Sequence, residues 1–73
     1  MKKDNEYICV MGVFDQNYRQ MVVLLVGVFK ERNQAEDAYD IYLINYIQSL
    51  VDGGEDIDDI DSNYEFEMYI FNV

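Results

Sequence analysis

Apolar residues recur along the chain in runs with different periods, and each period predicts an element. Tyr7–Phe14 reads Y-I-C-V-M-G-V-F, short, rich in β-branched and aromatic residues and bounded by polar ones, which predicts a first strand. Met21–Phe29 reads M-V-V-L-L-V-G-V-F, an unbroken apolar stretch that predicts a second strand buried on both faces. Asp15-Gln16-Asn17-Tyr18-Arg19-Gln20 joins them as a polar link of hairpin length, with Asp and Asn able to bond locally to the backbone.

From about residue 32 to 51 the period becomes helical. Ala35, Ala38, Tyr39, Tyr42, Leu43, Tyr46 and Leu50 form one stripe at about 100° per residue and make the predicted core face. Asn33 is placed to cap this helix, with Glu36 three residues later where a capping box wants a carboxylate, and Gly53-Gly54 ends it. In the acidic link of residues 52–63, Ile57 and Ile60 are three apart, so one helical turn can fold both onto the domain. Tyr64–Val73 alternates as a third strand, with Tyr64, Phe66, Met68 and Ile70 toward the helix. The expectation is one α+β domain over residues 1–73, ordered β-β-α-β, with a three-stranded mainly antiparallel sheet and one long helix on one face. Strand 3 can pair with strand 1, antiparallel, or with strand 2, parallel through a right-handed crossover.

One helix covers one face of such a sheet, so apolar surface is left over. Tyr69, Phe71 and Val73 fall on the uncovered face, and Ile41 and Ile44 lie off the core stripe of the helix. A contiguous apolar patch of this kind marks an interface, which predicts a homodimer or a protein partner. The alternative is that the N-terminal arm and the acidic link cover these residues.

Charge changes the picture more than composition does. The chain carries 15 acidic and 5 basic residues for a net charge of −10. Residues 1–32 hold five cations against four acids, a balance of +1, while residues 33–73 hold 11 acids and no Lys or Arg. Direct binding to nucleic acid or an anionic membrane needs clustered cations and is disfavoured. The chain has no His, so the commonest general base and the usual zinc ligands are missing, and Ser49 and Ser62 have no imidazole to activate them. Cys9 is the single cysteine, set in an apolar run where a buried inert thiol is expected. These features predict a protein that is not an enzyme and holds no cofactor or metal. No apolar stretch reaches the roughly 20 residues that span a bilayer, and Lys2 and Lys3 are followed by Asp4 and Glu6 rather than an apolar core, so a cytoplasmic location is expected.

The acids have several readings. Charge runs commonly form a solvated, solubilising face. They can also imitate a nucleic-acid backbone, since alternate residues of a strand, such as Glu65 and Glu67, lie about 6.8 Å apart, comparable to phosphate spacing. The candidate partner-binding set for that reading is Asp52, Glu55, Asp56, Asp58, Asp59, Asp61, Glu65 and Glu67, joined by Glu36, Asp37 and Asp40 on the helix. A calcium loop starting at Asp56 fits poorly, because its sixth position is Asp61 rather than Gly. A catalytic carboxylate pair needs a pocket that the pattern does not indicate. Tyr18, beside Arg19 in the hairpin link, is a candidate exposed anchor.

Gly27-Val28-Phe29 followed by Ala35, Ala38 and Tyr39 resembles a hairpin-to-helix unit of small phage and bacterial proteins, which implies a sheet-plus-helix fold. In size, charge and lack of catalytic residues the chain also resembles small acidic phage-encoded inhibitors, including anti-CRISPR and DNA-mimic proteins, with which it shares character rather than a motif. That resemblance implies a non-enzymatic inhibitor of a basic nucleic-acid-handling protein, acting in the host cytoplasm. The alternative is an adaptor or small subunit that docks through its apolar sheet face, or through Ile41 and Ile44, with the acids serving solubility.

Overall fold

Strands β1 (Tyr7–Asp15) and β2 (Gln20–Phe29) form an antiparallel hairpin whose last pair is Asp15 with Gln20. The turn is built by Asp15, whose Oδ1 accepts the Asn17 N–H at 2.9 Å and the Tyr18 N–H at 3.2 Å. Arg19 closes it in the left-handed region at φ 55°, a conformation uncommon outside glycine. The computed structural model describes residues 6–73; the charged start at Lys2 and Lys3, and the N-terminal arm, lie outside the described residues.

Helix α1 (Arg32–Asp52) follows, then a short helix α2 (Ile57–Asn63) and strand β3 (Tyr64–Asn72). The sheet order is β2-β1-β3, with both neighbours of β1 antiparallel to it. Of the two pairings open to strand 3, the chain adopts the one with strand 1. The fold is thus α+β in the order β-β-α-β, with a short second helix in the acidic link.

The alternation of each strand sorts its side chains. Cys9, Met11 and Val13 of β1 face α1 and are buried, and the register aligns them with Ile70, Met68 and Phe66 of β3. Ala35 and Tyr39 complete the buried centre, with Tyr42, Leu43 and Tyr46 packed around it, so the helical stripe is the core face. Tyr46 and Phe66 meet edge to face with ring centroids 6.1 Å apart, a favoured aromatic geometry.

α1 ends in a Schellman motif: the Glu55 N–H donates to the Leu50 carbonyl and the Gly54 N–H to the Val51 carbonyl, each at 3.0 Å. Gly54 takes φ +109°, which a side chain resists. At the other end the helix begins one residue before Asn33. Glu31 is the N-cap without a side-chain bond, and Asn33 Oδ1 instead accepts from the adjacent Gln34 N–H at 3.0 Å. The expected capping box therefore does not form.

Two further expectations are corrected. Among the described residues β2 is an edge strand with one partner, so its unbroken apolar run is not buried on both faces: Met21, Val22, Val23, Leu25 and Val28 are all exposed. In α2 only Ile60 folds onto the domain, at 2% exposure, while Ile57 remains 65% exposed. A seven-residue helix with one buried face holds Ile60 inward, and the first-turn Ile57 lies beyond the edge of that contact.

Candidate functional site

Among the described residues no element covers the face of the sheet turned away from α1. By register it carries Ile8, Val10, Gly12 and Phe14 on β1, Met21, Val23, Leu25 and Val28 on β2, and Glu65, Glu67, Tyr69 and Phe71 on β3. A bulge makes this possible: Cys9 opposes Gly27 and Val10 opposes Leu25, so Val26 is an extra residue on β2. It resets the alternation so that Leu25 and Val28 share a face although they are three apart. Val23 and Leu25 are each 61% exposed and Phe71 is 54% exposed.

Toward the hairpin-turn end of this face is a hollow of about 300 Å³ lined by Gly12, Phe14, Met21, Glu65, Glu67 and Tyr69. Gly12 forms its floor. A Cβ there would lie 2.8 Å from Met21 Cε and 3.1 Å from Tyr69 Cε2, so both side chains lean over the bare backbone. The Tyr69 hydroxyl donates to Glu67 Oε2, and that bond raises its pKa above the usual phenol value. Apolar walls with two carboxylates on one rim suit a Lys or Arg side chain whose stem packs and whose charge is met.

The eleven candidate acids do not form one surface. Glu65 and Glu67 stand on the open sheet face, on the opposite side from α1. Glu36, Asp37 and Asp40 are exposed on α1, and Glu36 Oε2 is met by Arg32 Nε at 3.4 Å, so that stretch is not free of cations. Asp52 is exposed at the end of α1 and accepts from Gln48 Nε2 at 2.9 Å. Around α2, Asp56 is the N-cap and accepts the Asp58 N–H at 3.0 Å, and Asp58 and Asp59 sit in the first turn, where the helix dipole favours them. Asp61 is exposed, whereas Glu55 is half-buried under Tyr64. Because Ile57–Asn63 is helical, the segment after Asp56 is not a calcium-binding loop, and among the described residues no group of three or more Cys, Asp or Glu is placed to hold a metal.

Ile41 and Ile44 are exposed on the outer side of α1, at 63% and 65%, among the helical acids rather than in a patch of their own. Tyr18 stands 76% exposed at the hairpin tip. Cys9 is fully buried and desolvation pushes its pKa up, which leaves a neutral thiol out of solvent. The hollow over Gly12 had no sequence signal of its own, because it needs Met21 and Tyr69 from two different neighbours in a register that only the pairing defines. Among the described residues no helix is long and apolar enough to cross a membrane. No protein family, characterised protein or solved structure matches the chain.

Proposed function

We propose that the chain is a non-enzymatic binding protein that seats the open face of its sheet on a protein partner with an apolar centre and a Lys or Arg at its rim. One observation carries the reading: Val23, Leu25, Val28 and Phe71, each more than half exposed, share a single face with the Glu65–Glu67 rim. Isolated soluble domains seldom leave such a contiguous patch uncovered. Apolar burial supplies the affinity, and the two carboxylates supply register and choice of partner. An inhibitor of a basic nucleic-acid-handling protein in the cytoplasm, of the phage-encoded kind, fits this chemistry, and so does a small adaptor subunit.

A second reading is favoured by a separate observation. Asp37, Asp40, Asp52, Asp56, Asp58, Asp59 and Asp61 are all exposed along the two helices, as imitation of a nucleic-acid backbone requires. Salt distinguishes the readings. Docking by the open face weakens little with salt and is lost in Phe71→Asp, while Asp58, Asp59 and Asp61 can all be changed to Lys without loss. Nucleic-acid imitation weakens steeply with salt and reverses both mutational outcomes. Capture from host lysate with each variant, at low and high salt, makes the comparison.

A further inference from the structure

The two edges of the sheet are guarded unequally. β3 carries Glu65 and Glu67, and charge along an edge is a standard protection against pairing with another chain. β2 runs ten residues, Gln20–Phe29, with no charged residue and no Pro; its nearest charges, Arg19 and Lys30, lie just beyond its ends. The bulge at Val26 breaks the C-terminal part of this edge and leaves Gln20–Leu25 regular, with an outer backbone edge that no described residue pairs with and aliphatic side chains on both faces.

We propose that β2 pairs antiparallel with β2 of a second copy, through Gln20–Leu25, to give a continuous six-stranded sheet. A two-fold axis through that edge keeps equivalent faces on the same side. Met21, Val23 and Leu25 then meet their counterparts on the open face, and Val22 and Leu24 meet theirs on the helix side. The assembly closes, because the edges left outside are the two acid-bearing β3 strands.

Charge selects a second copy at this edge over a second copy on the open face. Seven of the 11 acids in residues 33–73 lie in the α2 segment and β3, which is at the edge opposite β2; the other four, Glu36, Asp37, Asp40 and Asp52, are on α1, which packs on β1 and β2. In the order β3-β1-β2-β2-β1-β3 the two β3 strands are five spacings apart, about 24 Å. That is about three Debye lengths at physiological salt. Stacking the open faces would instead bring two acidic chains to a sheet separation of about 10 Å, with no cation on β2 to meet Glu65 and Glu67. The dimer does not depend on the partner reading, and it leaves the open face free and twice as wide.

Sedimentation and light scattering over a micromolar concentration range test the proposal. The expected species has twice the 8.7 kDa mass of the chain, and added salt strengthens it because two like-charged chains associate. Val22→Lys, on the helix side of the edge, should give a monomer, and Phe71→Asp, on the open face at the far edge, should remain a dimer. Hydrogen exchange in the unaltered chain should show Gln20–Leu25 amides slowing as concentration rises, and this decides the matter even where the Lys variant does not fold. A wild-type monomer throughout overturns the proposal. So does a dimer that Phe71→Asp breaks and Val22→Lys spares. Failure of partner binding in Phe71→Asp with the dimer intact bears only on the open-face reading.

Discussion

The Tyr64 hydroxyl donates a 2.9 Å hydrogen bond to Glu55 Oε2, tying the first residue of β3 to the linker that follows α1. The two residues bracket α2, so the bond closes the segment that carries most of the linker acids. Its neighbour is the Gln16 N–H, which donates to the Asn63 carbonyl at 2.9 Å and fixes the end of α2 to the hairpin turn.

That bond predicts an alkaline transition. The hydrogen bond to Glu55, with smaller contributions from burial and nearby charge, pushes the Tyr64 pKa up to about 12. A raised folded-state value means that the fold holds the proton more tightly than the unfolded chain does. The stabilisation is therefore fully present below the ordinary phenol value of about 10 and is lost as pH rises through about 12. Tyr64→Phe should lower stability by about 0.5–1 kcal/mol at neutral pH, since the bond is only half-buried. It should also remove this part of the alkaline loss. Urea unfolding at a series of alkaline pH values reads both effects, and an unchanged pH profile in Tyr64→Phe would show that the bond is not made in solution.

Cys9 is expected to be silent in the native state. It is fully buried between α1 and the sheet, and desolvation keeps it protonated. A thiol reagent should label it only through opening of the fold, at a rate that tracks unfolding as urea is added. Cys9→Ser should cost about 1–3 kcal/mol by burying a hydroxyl, and Cys9→Ala less than a large-to-small change at Met11. Rapid labelling in native buffer would contradict the buried position.

The elements were legible because their periods differ. The alternation from Tyr64 to Phe71 and the stripe from Ala35 to Leu50 each have one physical explanation; Ala35, Tyr39, Tyr42, Leu43, Tyr46, Tyr64, Phe66 and Ile70 pack in or on the core, while Met68, on the edge strand β3, is 39% exposed. The environment of β2 was not legible. An unbroken apolar run says that a strand wants burial, but whether it lies at the centre or the edge depends on strand order, which residues far away decide. The acids illustrate the same limit. Glu65 and Glu67 are close in sequence to Asp61 and Asp59, yet strand alternation turns them to the face opposite the helix, so one charge run becomes two separate surfaces. Asn33 failed as a cap for a smaller reason: helices admit a start one or two residues either way, and Glu31 with extended backbone was equally available.

The end of α1 gives a paired test of backbone strain. Gly54 has φ +109°, with no atom within 4 Å of where a Cβ would stand. Gly54→Ala therefore has room but the wrong backbone, and should cost about 1–3 kcal/mol. Gly53 has φ −82°, and a Cβ there meets only the Ser49 and Leu50 carbonyl oxygens at 3.4 and 3.5 Å. Gly53→Ala should change stability by less than about 0.5 kcal/mol. Thermal unfolding of the two variants measures the difference, and equal losses would mean that conformation at Gly54 is not what limits the turn.

The isoleucines of α2 test how the acidic segment is held. Ile60 is the one buried residue of α2, at 2% exposure, and it sits in a helix whose other side chains are polar apart from Ile57 and mostly exposed. Ile60→Ala removes that anchor and should destabilise the domain by about 2–4 kcal/mol, within the range of buried large-to-small changes. Ile57 is 65% exposed, so Ile57→Ala should stay within about 0.5 kcal/mol of the parent. The consequences extend beyond stability. α2 is pinned by Ile60 and by the Tyr64–Glu55 and Gln16–Asn63 bonds, so loss of Ile60 should free Asp58, Asp59 and Asp61 from their fixed positions while leaving the open sheet face in place. A partner that binds the open face should then keep its affinity for Ile60→Ala once the folded fraction is taken into account, and a partner that reads the acids of α2 should lose it. Binding measured beside denaturant unfolding on the same variant separates the two.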